Sequence, residues 1–268
     1  DVFCNRFIKF GGFYKWARAQ GADFIATGHY ARVLSVKDKG LKIKDFGLFA
    51  GSDPQKDQSY FLWQIKKEQL PHILFPVGGM RKSEVRKLAR KLGLITAEKK
   101  DSQGLCFVGK VDMKEFLSHY IKPKKGVVLN ERGEVVGEHD GAFFYTLGER
   151  IGINCRHQVS TEGECPYYVI AKDTRKNTLT VSHKSPSGEL PLARKEVVIK
   201  DCNWLSQPMQ RKTYSARTRY RQPLQKCLVA NAYGRRYVLL FEAGQTVASG
   251  QSTVLYDGDM CLGGGIIV

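Results

Sequence analysis

From Gly126 to its end, this chain of 268 residues abandons helical spacing, and its apolar residues fall into short runs separated by turn residues. Gly126–Leu129 and Glu134–Val136 flank a turn at Glu131-Arg132-Gly133 and read as a β-hairpin. Tyr167–Lys172 and Thr178–Ser182, joined across Thr174–Asn177, read as a second. Val197–Asp201, Tyr214–Arg221, Cys227–Ala232, Tyr237–Phe241 and Thr246–Ser249 fit further short strands. Such a succession of strands and turns predicts a compact β-barrel.

The front half follows a different rule. Ile8, Phe13, Trp16 and Ala17 predict one apolar face of a helix over 7–20, ending near Gly21. Phe24-Ile25-Ala26 reads as a short buried strand that ends at Thr27-Gly28-His29. A glycine turn at the carboxyl end of a strand is where α/β sheets bind ligands. Residues 35–47 read as a basic hairpin or surface loop, and 56–65 as a helix with Tyr60, Phe61 and Leu62 inward. Lys56, Asp57 and Gln58 form its exposed start. Ser83 is the expected N-cap of a helix with Val85, Leu88, Ala89 and Leu92 on one face and Gly93 at its end. Arg86, Lys87, Arg90 and Lys91 form a basic strip on the other face, either solvated or in contact with RNA. Asp112 and Glu115 resemble a capping box opening a helix over Met113–Tyr120.

The expected architecture is therefore α/β + β. It comprises an α/β domain over 1–106, a small mixed domain over 107–165 and a β-barrel over 166–268. The length suffices for two or three such cores. Apolar residues at 42% argue against disorder, and no apolar run approaches the ~18 residues of a membrane span.

Charge narrows the partner. The net charge is +17, and it is unevenly placed. Residues 1–106 carry twenty basic against ten acidic side chains, a net of +10; residues 107–165 net −1, and residues 166–268 net +8. Two basic blocks flanking a neutral middle point to a polyanion, nucleic acid first and an anionic membrane surface second. Along Tyr214–Arg221, Arg217, Arg219 and Arg221 alternate at about 6.5–7 Å if the strand is regular, with Tyr214 and Tyr220 opposite. That row reads either as a solvated sheet face or as a phosphate-binding one.

Seven cysteines, at 4, 106, 155, 165, 202, 227 and 261, include no CxxC pair. Neither a zinc ribbon nor a thioredoxin-type motif is supported, and a reducing cytoplasm is the expected setting. Cys106 stands between Gly104 and Gly109, behind Lys99 and Lys100. Flanking glycines can expose a thiol and nearby positive charge favours the thiolate, so Cys106 is either reactive or a packed residue.

In order along the chain, DVFCN, ATGHYAR, KDQSYFL, LFPVG, KKDSQGLCFVG, YTLGER, RYRQP and GQSTVLYDGDMCLGGG match a known pattern. Together they resemble the tRNA-specific 2-thiouridylase (MnmA) family, from residue 1 to residue 268. The resemblance implies an adenine-nucleotide α-hydrolase-like (PP-loop ATPase) front domain and ATP as cofactor, with Mg²⁺ accompanying it; no metal ligands are assigned. The substrate implied is tRNA, at the wobble uridine of its anticodon. ATP adenylates the C2 oxygen and a persulfide sulfur then displaces AMP. Cys106 would carry the persulfide, received from a sulfur-relay donor protein. Cys4 would liberate sulfide from it or resolve it as a disulfide, because a sulfane sulfur must be released from its carrier. Gly28 matches the glycine that approaches ATP. His29, Lys56, Asp57, Gln58, Arg219, Tyr220 and Gln251 match positions that contact tRNA. Asp1 and Asn5 bracket Cys4 where the target base would approach, and Asp101 reads as an N-cap or turn residue.

One departure stands out. The family's Ser-Gly-Gly-x-Asp-Ser loop, which cradles phosphates with backbone N–H groups, does not occur in these residues. With Asp1 in place of Met at the start, this leads to the expectation that the first strands of the nucleotide-binding domain are missing. The chain alone is then expected to lack ATP-dependent activity. The alternative is a non-catalytic tRNA-binding fragment or half of a split enzyme.

Overall fold

The computed structural model describes residues 1–36, 45–98, 113–151, 167–183, 194–234, 236–245 and 247–268. Cys106 and Asp101, with Cys155 and Cys165, lie outside the described residues. The chain forms two compact units. The first comprises Asp1–Gly109, Glu196–Ala243 and Ser249–Val268; the second comprises Lys110–Lys195 and Gly244–Ala248.

The first unit opens with a π-helical stretch, Cys4–Phe13, running into α1 (Tyr14–Ala19). A π-turn bonds residues five apart and so rotates the face that a 3.6-residue period predicts. Asn5, Phe10 and Ala17 point inward, whereas Ile8, Phe13 and Trp16 face out. Gly11 permits this winding, since a Cβ there would lie 2.6 Å from the Arg6 carbonyl oxygen. Next come β1 (Ile25–Ala26), β2 (Ala31–Val36), β3 (Asp45–Ala50) and β4 (Ile73–Leu74). β1 and β4 pair in parallel, Ile25 opposite Ile73, and β2 and β3 form an antiparallel hairpin. The expected helix over 56–65 is instead a loop and one 3₁₀ turn, Ser59–Leu62. Its core joins Phe10, Leu48, Leu62, Trp63, Leu70 and Ile73. The helix α2 (Lys82–Lys91) starts one residue before Ser83, and the Glu84 carboxylate accepts from the Arg81 N–H at 2.7 Å. None of its residues is buried. Leu88 and Leu92 are exposed, so the apolar face of this helix is peripheral.

The second unit holds α3 (Met113–Ser118), β5 (Gly126–Leu129), β6 (Val135–His139), β7 (Arg150–Ile151), β8 (Tyr167–Asp173) and β9 (Thr178–His183). Their sheet runs β6-β5-β9-β8-β7, with β5 and β9 parallel. Val128, Val169, Leu179 and Val181 fill its core. The hairpin β8–β9 thus pairs with β5 and not with the strands that follow residue 194.

Those later strands are β10 (Arg194–Trp204), β11 (Thr213–Arg217), β12 (Gln225–Tyr233), β13 (Arg236–Gln245), β14 (Ser252–Asp257) and β15 (Met260–Ile267). They run β10-β13-β12-β11-β14-β15, and β15 pairs back to β10, closing the expected barrel. The start of β15 also pairs with β3, Cys261 opposite Leu48, so the front half and the barrel share a core. The glycines of LGGG make closure possible. Gly263 has φ +120, and a Cβ there would lie 2.1 Å from the Asn203 carbonyl oxygen; one on Gly264 would lie 2.2 Å from that of Thr253. Side chains would hold β15 off both neighbours.

Candidate functional site

β11 ends at Arg217, short of the expected Arg221, because Gln222 takes over its hydrogen bonding. The Gln222 Oε1 accepts from the Thr218 N–H and hydroxyl, both at 2.9 Å, and from the Arg219 N–H at 3.1 Å. The chain turns there, and Arg221 adopts φ +64. Arg217, Arg219 and Arg221 therefore do not form one row. Arg217 turns inward, its guanidinium 3.4 Å from the Asp57 carboxylate and over the Tyr256 ring. Arg219 and Tyr220 sit on the turn, and Arg221 stacks its guanidinium on Tyr220. The Tyr220 ring packs against Phe61, centroids 4.3 Å apart.

This turn forms one wall of a cleft of about 540 Å³. Gly28, Lys56, Gln58 and Tyr220, expected from sequence to bind ligands, all line it. They come from segments nearly two hundred residues apart. Gln58 is fixed by two bonds to one residue: its N–H donates to the Tyr30 carbonyl at 2.8 Å, and its Oε1 accepts from the Tyr30 N–H at 3.0 Å. Gly28 follows β1, and a Cβ there would meet nothing within 4 Å. A bare backbone at the carboxyl end of parallel strands suits close approach by a phosphate or base.

Two of the expected contacts stand behind this surface. Asp57 is buried, and its Oδ1 accepts from the N–H groups of Gly51 and Ser59 at 3.1 and 3.0 Å. Its Oδ2 accepts from the Ser59 hydroxyl at 3.1 Å and faces Arg217. His29 is also buried, against Phe10 and Phe75. Its Nδ1 lies 2.7 Å from the Thr27 hydroxyl and its Nε2 lies 3.4 Å from the Lys9 ammonium. Burial first, and the Lys9 charge second, pull its pKa down to about 4, so the ring is neutral at physiological pH.

Cys4 begins the π-helical stretch, half-buried and unbridged. The next residue anchors that turn: Asn5 donates from Nδ2 to the Phe61 carbonyl at 3.0 Å and from its N–H to that of Asp1 at 2.9 Å. Asp1 lines the cleft. Cys202, Cys227 and Cys261 differ in kind, since burial pushes each thiol up to about 12 and keeps it protonated. Gln251 lies just before β14, its backbone carbonyl accepting from the Ile267 N–H at 2.8 Å, and does not line the cleft.

Lys82, which the sequence did not single out, lines the cleft with Arg86 of the expected basic strip and Arg221 of the expected arginine row. Lys82 and Arg86 are four apart on α2 and line the cleft with Val85 and Ala89, residues of the expected apolar face. The i, i+4 pairing was the available signal. Among the described residues, no three His, Cys, Asp or Glu side chains gather as a metal site. No described helix is long and apolar enough to cross a membrane.

Comparison with known proteins agrees along the whole chain. Residues 1–110 match the family model described as tRNA methyl transferase HUP domain, and 114–183 that of the tRNA methyl transferase PRC-barrel domain. Residues 194–267 match the aminomethyltransferase beta-barrel domain. The tRNA-specific 2-thiouridylase MnmA of Dichelobacter nodosus is 44% identical over 270 residues, all of this chain and 69% of the relative. That of Geobacillus thermodenitrificans is 41% identical with the same coverage. That of Paracidovorax citrulli is 43% identical over 277 residues, all of this chain and 71% of the relative. On motif order, fold and similarity along all of its own residues, the chain belongs to the tRNA-specific 2-thiouridylase MnmA family.

Proposed function

We propose that this chain serves tRNA 2-thiolation, as a sulfurtransferase acting on the wobble uridine of tRNA. The observation that carries this reading is the meeting of Gly28, Lys56, Gln58 and Tyr220 in one cleft bordered by the turn that bears Cys4. The basic lining of Lys56, Lys82, Arg86 and Arg221 fits a phosphate backbone, and Tyr220 offers a ring for stacking. ATP, when bound, supplies the adenylyl group that makes the C2 oxygen of uridine a leaving group. Gly28 fits that role, because its backbone faces the cleft with no side chain in the way. Lys56 and the arginines hold the anionic strand, and Gln58, fixed by Tyr30, orients it.

The two cysteines divide the sulfur chemistry. The terminal sulfur of a Cys106 persulfide attacks C2, forming the C–S bond as the C–O bond breaks. The Cys4 thiolate then attacks the Cys106 Sγ, leaving the outer sulfur on the uridine and a disulfide on the protein. A dithiol reductant restores both thiols. In the other order, Cys4 attacks first, forms the same disulfide and releases hydrosulfide as the nucleophile. A sulfur-relay donor loads Cys106 in either case.

The test is mass spectrometry of the chain after incubation with a persulfide donor, alongside tRNA affinity. Sulfur should add to Cys106, Cys106→Ser should abolish the addition, and tRNA affinity should change less than about twofold. Addition that persists in Cys106→Ser, or affinity that collapses with it, would contradict the assignment.

A further inference from the structure

Asp201 adopts φ +50 within β10, where the ladder to β15 slips between Lys200 and Asn203. Bulges with a left-handed residue cost backbone energy and re-aim side chains. This one borders a second cavity of about 870 Å³, which shares no lining residue with the cleft. Asn203, at the end of the bulge, donates from Nδ2 to the carbonyls of Trp63 and Ile65 at 2.7 and 2.9 Å. That fork holds Gln64 in the cavity wall.

Four features of the wall point to one kind of ligand. Gln64 is only 7% exposed, and its Oε1 has no hydrogen-bond partner. The Trp204 Nε1–H in the same wall also has none. Buried polar groups without partners are rare and mark sites where something else satisfies them. Trp204 meets Tyr237 edge to face at 5.0 Å, and the Tyr237 hydroxyl accepts from Gln207 at 2.6 Å, which holds that ring. Arg6 and Lys200 place two exposed cations on the lining, with the Asp201 carboxylate beside them. An aromatic surface, an amide and an indole N–H, and cations match a base with its phosphate.

The position ties this cavity to the cleft. Asp1 lines the cleft while Phe3 and Arg6 line the cavity, so the turn bearing Cys4 runs between them. Gly250, next to Gln251, lines the cavity as well. We propose that the cavity takes one unpaired nucleotide of the same RNA whose uridine enters the cleft, splayed away from its neighbour across the Cys4 turn. The inference rests on the reading of this chain as an RNA-acting protein.

The test uses the full chain and anticodon stem-loop RNAs carrying 5-bromouridine at single positions flanking the wobble nucleotide. Irradiation should give an adduct on the peptide with Trp204 or Tyr237. Arg6→Ala combined with Lys200→Ala should weaken binding about tenfold and flatten the salt slope by about two. Both residues are exposed, so the variant should fold. Lys15→Ala with Lys226→Ala removes the same charge elsewhere and should cost under about threefold. RNA that binds and responds to Lys56→Ala, yet gives no such adduct and ignores the cavity variant, overturns the cavity assignment alone. Equal weakening by the two double variants overturns it too. No RNA binding at all overturns the functional reading and this inference together. Adducts from free 5-bromouridine monophosphate but not from RNA would make it a free-nucleotide site and overturn the proposal.

Discussion

Asp57 and His29, two residues of the matched motifs, are buried beneath the candidate surface rather than open on it. The Asp57 carboxylate accepts three hydrogen bonds and faces Arg217, whose side chain is 12% exposed. Removing one partner of a buried ion pair leaves the other charge uncompensated, which costs about 3–5 kcal/mol. Asp57→Asn should therefore lower the melting temperature and disorder the loop that presents Lys56 and Gln58. Unchanged melting with weakened RNA binding would instead mean direct contact. His29 predicts a pH dependence. Its folded pKa of about 4 lies below the ordinary 6.5, so the unfolded chain takes up the proton first as pH falls. Its contribution is present above about pH 6.5 and is lost towards pH 4, on the order of 3 kcal/mol in all. His29→Gln should flatten the fall of the urea midpoint across that window, and an unaltered slope would contradict the burial argument.

Glycines that look alike in sequence do different work at the scale of elements. Gly263 lies in the seam between β10 and β15, where a Cβ would collide with the Asn203 backbone. Gly263→Ala should destabilise by roughly 3 kcal/mol and speed amide exchange in both strands. Gly28→Ala meets nothing within 4 Å, so its melting should stay within about 0.5 kcal/mol of the parent while ligand binding weakens. The sequence pattern made the hairpins and most barrel strands legible, because their alternation is a two-residue period. It missed β14, placing a strand at Thr246–Ser249 where residues 247–250 form none, and it missed β15, whose three consecutive glycines carry no apolar alternation. It misplaced the face of the first helix, because a π-helical winding rotates the residues that a 3.6-residue period aligns, and it did not show that α2 would be peripheral. Of the site, Gly28, Lys56, Gln58 and Tyr220 were legible through motifs. Lys82 was not, and Arg86 was legible only as one of a basic strip, since a cation on a helix says nothing about which neighbour the helix lies beside.

Across the whole molecule, the net charge of +17 suits attraction to RNA, and the cleft is the proposed place where that attraction becomes specific. Replacing Arg219 by Ala should weaken tRNA binding and reduce the slope of log K against log salt by about one. A slope that does not change would remove Arg219 from the phosphate contacts. The central claim is that segments remote in sequence form a single RNA-binding cleft. Hydrogen–deuterium exchange of the chain with and without tRNA tests it most directly. The account predicts protection concentrated together at residues 26–30, 56–61 and 218–222. Protection confined to other segments, or spread evenly over the basic surface, would contradict it.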